Sequence, residues 1–171
     1  MEHCWLELFL ATLEVKERKL AKAFIGIGLP GSGKTTYLRQ FANDIGAVYI
    51  CADDVRAELY GDSRIQNDPQ KVWTEVRRRA TKALMRGRDV VIDGTHAKPR
   101  DRQSTLRACR SAGWIEGIWC QAPFGVCLAR NQHRDRVVPY ASMKRMRNQL
   151  YRTPPSPKEG FSRISRVNTA G

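Results

Sequence analysis

The sequence predicts an α/β fold: a mostly parallel sheet with helices on both faces. Three observations predict it. Short apolar runs end in glycine or acidic residues, amphipathic stretches of helical period separate them, and the length suits one core. Strands that alternate with helices need crossover connections, and those bury a parallel sheet on both sides. The 171 residues leave no room for two full-sized domains, and 42% hydrophobic with 27% charged content excludes general disorder.

In chain order, Leu6, Phe9, Leu10 and Leu13 recur at helical spacing and predict an amphipathic helix over 1–20, ahead of a single domain over 21–171. Residues 23–28 form a buried strand, followed by a glycine-rich turn and a helix from Lys34. A second strand over 47–51 ends at Asp53-Asp54. The helix over 69–86 has the clearest boundaries: Asp68 suits its N-cap, Pro69 its first position and Gly87 the residue beyond its end. Further on come a buried strand over 89–93, a helix over about 100–112 and a strand over 115–120. Helices near 124–134 and 140–150, a proline-rich turn and a last strand over 161–167 complete the chain.

The turn after the first strand carries the chemistry. Gly28-Leu29-Pro30-Gly31-Ser32-Gly33-Lys34-Thr35 fits the P-loop pattern G-x-x-x-x-G-K-[ST] in full, with Thr36 following. Glycines at 28, 31 and 33 let backbone N–H groups turn inward around phosphate oxygens, and the helix that opens there adds its positive end. The motif assigns Lys34 to the β/γ-phosphates of a nucleoside triphosphate and the Thr35 hydroxyl to magnesium.

Three further groups bear on what receives the phosphate. Asp53-Asp54-Val55-Arg56 directly follows the second strand, where an open α/β sheet faces its ligand crevice. A carboxylate there can take a proton from an attacking hydroxyl and Arg56 can hold an anionic acceptor group; equally, either aspartate can cap the following helix. Asp93 ends the apolar run Val90-Val91-Ile92 in the manner of a Walker B strand, with its carboxylate near the magnesium. Thr95 and His96 follow on the same rim, His96 serving as an acceptor contact or a structural histidine. Arg130 and Arg134 stand four residues apart and would share one helix face, able to neutralise charge on a phosphoryl group in flight.

Together, Gly28 to Thr36, Asp53-Asp54-Val55-Arg56 and Arg130-Asn131-x-x-Arg134 leading to Val138-Pro139 resemble the polynucleotide 5′-kinase type of P-loop phosphotransferase, within the small-kinase group that includes zeta toxins. The resemblance runs from about Phe24 to Arg152. It implies a P-loop NTPase fold with a helical lid, Asp53 as general base on a 5′-hydroxyl, Arg56 on the neighbouring acceptor phosphate, and Arg130 and Arg134 as lid arginines on the donor phosphates. One departure stands out: the family commonly reads Asp-x-Thr-Asn after the third strand, where this chain has Asp93-Gly94-Thr95-His96.

The reading is an ATP- and Mg²⁺-dependent kinase acting on a nucleic-acid 5′ end. A kinase of a small metabolite, nucleotide-sugar or antibiotic hydroxyl is the nearer alternative, and a nucleotide-binding regulatory module with weak ATPase activity the more distant one. The net charge of +13 suits anionic partners, and residues 121–171 hold ten Lys and Arg against Asp135 and Glu159. No apolar run approaches a membrane span, and cysteines at 4, 51, 109, 120 and 127 with no C-x-x-C pair suit buried thiols in a reducing cytoplasm. The sequence assigns no oligomeric state.

Overall fold

The computed structural model describes residues 20–65 and 67–170. The amphipathic stretch expected over 1–20 lies outside the described residues, apart from Leu20. Five strands form one sheet: β1 (Lys22–Ile27), β2 (Val48–Cys51), β3 (Val90–Asp93), β4 (Trp114–Gln121) and β5 (Arg163–Asn168), in the order β2-β3-β1-β4-β5. Every pairing among the described residues is parallel, so the sheet is wholly rather than mostly parallel. All strands therefore end at one edge, and the loops leaving them meet there.

Six α-helices connect or flank the described strands: α1 (Lys34–Asp44), α2 (Ala52–Tyr60), α3 (Pro69–Met85), α4 (Pro99–Ala108), α5 (Phe124–Gln132) and α6 (Tyr140–Arg152). Side chains alternate across β1. Ala23, Ile25 and Ile27 pack with Val72, Val76 and Ala80 of α3 and Leu106 of α4, while Phe24 packs with Leu38 and Ala42 of α1 on the opposite face. The all-buried strand Val90–Asp93 supplies both layers. An interior covered on both sides explains why these strands read as continuous apolar runs.

The limits of α3 follow from its caps. Asp68 accepts a hydrogen bond from the Lys71 N–H at 2.9 Å, Pro69 opens the helix, and Gly87 takes a left-handed φ of 73° just past its end. Four boundaries move by two residues or more: α4 stops at Ala108, α5 stops at Gln132, α6 continues to Arg152, and β5 starts at Arg163. Cys51, Cys109, Cys120 and Cys127 are buried free thiols, and burial pushes Cys109 up to about 12 and Cys120 up to about 11, so neither is a ready thiolate. No helix among the described residues is long and apolar enough to cross a membrane.

Candidate active site

A cavity of about 550 Å³ opens along the edge where β1, β2 and β3 end. Leu29, Pro30, Gly31, Gly33, Lys34, Thr35 and Thr36 line it. Gly33 forms the N-cap of α1 in a left-handed conformation with no side-chain cap, so the first N–H groups of α1 keep their capacity for an anion. Gly31 is held at φ +75°, and a Cβ there would sit 2.3 Å from the Cys127 carbonyl oxygen; the loop passes too close to α5 for any side chain. Gly28 and Ser32 do not line the cavity. Ser32 is buried behind the loop, and the Gly28 N–H donates to the Thr95 carbonyl at 3.1 Å, tying the loop to the segment that follows Asp93.

Asp93 stands at the end of β3, with 2% exposure. The Lys34 ammonium donates to its Oδ1 at 2.5 Å and the Tyr49 hydroxyl donates to its Oδ2 at 2.7 Å. Burial pushes the Asp93 carboxyl up, but the Lys34 charge and the hydrogen bonds from Lys34, Thr35 and Tyr49 outweigh it and hold it below the usual carboxylate value. Burial and the Asp93 charge push the Tyr49 phenol up, which keeps it a donor. Thr35 and Asp93 are thus neighbours, as the P-loop and Walker B patterns require. Among the described residues no group of three or more His, Cys, Asp or Glu is placed to hold a metal ion alone. The hydroxyl of Thr35 and the carboxylate of Asp93 fit a hard cation that arrives with a triphosphate and keeps much of its water shell.

Asp53 does not cap a helix. Cys51 is the N-cap of α2, and Asp53 and Asp54 lie inside its first turn, where the helix dipole favours acidic side chains. That leaves the Asp53 carboxylate free to point into the cavity, where three guanidinium groups surround it. Arg56 donates to Oδ1, Arg136 donates to Oδ1 at 3.1 Å, and Arg134 pairs with Oδ2 at 3.5 Å. Arg56 is 6% exposed, so its charge has little water and Asp53 supplies its counterion. Burial and the charges of Arg56 and Arg134 push the Arg136 guanidinium down, against the pull of Asp53.

The two arginines expected on one helix face are arranged otherwise. Because α5 ends at Gln132, Arg130 lies in its last turn and Arg134 lies in the segment beyond it. Both still line the cavity. Arg130 donates to the carbonyls of Thr169 at 2.8 Å and Ala170 at 2.9 Å, which places it beside Gly33. Arg134 is placed by the fold of residues 132–138. The buried Asn131 amide closes that segment, donating to the Val138 carbonyl at 2.9 Å and accepting from its N–H at 3.1 Å. The lid segment is thereby bent over the site with Arg134 and Arg136 facing Asp53.

On the far rim, Thr95 and His96 both line the cavity, but the His96 ring turns inward, 2% exposed, at a positive φ of 45°. Its Nδ1 donates to the Gly26 carbonyl at 2.7 Å and its Nε2 lies 3.0 Å from the Thr105 hydroxyl, so both ring nitrogens are engaged within the protein. Burial pushes its pKa down to about 4, which keeps the ring neutral. The expected contact of His96 with an acceptor thus has no free ring nitrogen to make it. Arg102 secures the same loop. With no solvent exposure, it spends all five N–H donors on the carbonyls of His96, Ala97 and Thr153 and on both oxygens of Glu159.

Sequence reasoning missed Tyr49, Arg136 and Arg102. Arg136 lies two residues past Arg134 and was within reach of the same charge argument. Tyr49 and Arg102 sit where only the packing of distant segments makes them relevant.

A phosphate-binding loop, a Walker-type carboxylate and an arginine-bearing lid on an all-parallel sheet of this order define a P-loop protein of the kinase-type phosphotransferase fold. The chain belongs to the AAA domain family, whose model matches residues 24–153. An uncharacterised protein of Mycobacterium tuberculosis is 32% identical over 115 residues, covering 60% of this chain and 22% of that protein. The chain therefore spans about a fifth of the length of the mycobacterial relatives it matches, 22% in each case. Among solved structures, the Pnkp1/Rnl/Hen1 RNA repair complex matches with a TM-score of 0.70 and 24% identity, covering 84% of this chain and 47% of that one. A gluconokinase from Sinorhizobium meliloti matches with a TM-score of 0.60 and 18% identity, covering 90% of this chain and 85% of its own. At these identities the likeness is one of fold.

Proposed function

We propose that the protein is an ATP- and Mg²⁺-dependent kinase that moves the γ-phosphoryl group onto the 5′-hydroxyl of a polynucleotide end. The observation that carries this reading is Asp53: its carboxylate shares one cavity with Lys34 and the phosphate loop, ringed by Arg56, Arg134 and Arg136. The likeness to a chain of an RNA repair complex and the net charge of +13 support a polyanionic acceptor.

The backbone of residues 29–36 and Lys34 hold the donor phosphates, and Thr35 with Asp93 would hold the magnesium. That ion supplies charge neutralisation on the phosphate oxygens. The acceptor hydroxyl donates its proton to the Asp53 carboxylate as its oxygen forms the new bond to the γ-phosphorus. The bond from that phosphorus to the β,γ-bridging oxygen breaks, and ADP leaves with the electron pair. Lys34, Arg130 and Arg134 take up charge on the phosphoryl group in transit, and Arg56 and Thr95 position the acceptor. Transfer of this kind depends on positioning and charge more than on covalent help from the protein.

The test is transfer from γ-labelled ATP to a 5′-hydroxyl oligonucleotide, run beside a panel of sugar and metabolite hydroxyls. Labelled oligonucleotide is the expected product. The gluconokinase likeness over 90% of the chain makes a small polyol acid the rival acceptor, and label in that panel alone would overturn the polynucleotide reading. ATP binding with no acceptor labelled would leave a nucleotide-binding module.

A further inference from the structure

Trp73 is the one large aromatic side chain among the residues lining the cavity, and the phosphate chemistry gives it no task. It lies one turn inside α3, four residues after Pro69, and both line the cavity with Met146 of α6. The helix that carries it packs on β2 and β3, the half of the sheet that also delivers Asp53. Arg130 and the Thr169 carbonyl mark the opposite half, where β4 and β5 end. Trp73 therefore belongs to the acceptor side.

Its ring is held in place from beneath. A Cβ on Gly94 would sit 2.3 Å from Cη2 of Trp73, so the indole rests directly on glycine backbone. The His96 ring meets it edge to face, with centroids 5.1 Å apart. His96 is in turn fixed by the Gly26 carbonyl and Thr105. The departure at His96 from the family's usual asparagine thus has a structural use: with the Gly94 backbone it builds the seat of an indole. A fixed indole wall costs little entropy when a flat partner covers it, and stacking on aromatic side chains is how single-stranded nucleic acid is held without reading its sequence.

Resting on the polynucleotide reading above, we infer that Trp73 is the stacking platform for the acceptor's 5′-terminal nucleobase, setting the 5′-hydroxyl toward Asp53 while Arg56 and Lys98, which also line the cavity, face the backbone phosphate. Trp73 is a positioning residue: it sets acceptor affinity and leaves the transferring phosphate alone. The platform makes the enzyme prefer acceptors that carry a terminal base and stay indifferent to which base it is.

The experiment compares two 5′-hydroxyl oligonucleotides, one with an ordinary terminal base and one abasic at that residue, with wild type, Trp73→Phe and Trp73→Leu proteins. Wild type is expected to show a KM about tenfold or more lower for the base-bearing acceptor. Trp73→Leu removes that advantage while leaving the KM for ATP and for the abasic acceptor unchanged, and Trp73→Phe retains most of it. Equal KM for the two acceptors with wild-type protein overturns the platform without touching the proposed function, and requires no variant to fold. An advantage that survives in Trp73→Leu overturns it equally. Label reaching neither oligonucleotide but only a sugar hydroxyl overturns the function, and the platform with it.

Discussion

The Lys34 ammonium sits 2.5 Å from Oδ1 of Asp93, and the carboxylate is 2% exposed. A lysine of the phosphate loop and the acid ending β3 therefore neutralise one another inside the protein. Binding of a triphosphate offers the ammonium a second set of anionic oxygens in the same place. Lys34→Met is expected to reduce turnover by about 10²–10³-fold. It should also cost about 3–5 kcal/mol in stability, because a buried carboxylate loses its partner. Lys34→Met combined with Asp93→Asn should regain much of that stability and none of the activity. Urea denaturation and single-turnover kinetics on the three proteins check both halves.

On the proposed mechanism, a change at Asp53 should separate binding from transfer. Asp53→Asn is expected to lower kcat by about 10²–10⁴-fold with ATP affinity maintained, as measured by titration calorimetry beside steady-state rates. Unchanged turnover would remove Asp53 from the role of base.

Arg56 should act on the acceptor alone. Arg56→Ala is expected to raise the acceptor KM while that for ATP stays put. For a polynucleotide, the logarithm of acceptor affinity should fall linearly with the logarithm of salt concentration, with a slope shallower by about one unit in the variant. A KM change confined to ATP would contradict the assignment.

His96 makes stability depend on pH. Its folded pKa of about 4 lies below the unfolded value near 6.5. Between those values the unfolded chain binds the extra proton, so the stability from burying a neutral ring is complete above about pH 6.5 and is lost as pH falls toward 4. The loss is on the order of 3 kcal/mol. Urea midpoints measured across that window should slope for the wild type and flatten for His96→Asn.

Arg102 holds the rim from behind. Arg102→Met leaves Glu159 without its partner and three carbonyls without donors, at an expected cost of about 3–5 kcal/mol in urea denaturation. Because the His96 and Ala97 carbonyls are among them, the acceptor KM should rise in the same variant. A stability loss with no kinetic effect would confine Arg102 to the core.

Much of this site is legible in the sequence. The phosphate loop is a contiguous pattern whose backbone needs are local, so glycine, lysine and threonine announce it. Asp53 and Asp93 were legible because acids just past strand ends of a parallel sheet face its crevice. The pairing of Arg130 with Arg134 on one face failed for a local reason: α5 gives way after Gln132, where the Asn131 amide bridges to Val138 instead of continuing a helix. His96 read equally as contact or core, because a histidine's role is decided by its partners, and Gly26 and Thr105 are 70 and 9 residues away.

By itself the sequence determined the alternation of strands and helices, the anion cradle and the identity of the acids around it, since each rests on residue types at short spacing. Only the tertiary structure decided that Arg134 and Arg136 join the helical neighbour Arg56 around Asp53, that Tyr49 and Lys34 share Asp93, and that Trp73 rests on Gly94. Those relationships join segments that crossover connections bring to one sheet edge. Contact across such distances depends on packing shape, which no local pattern encodes.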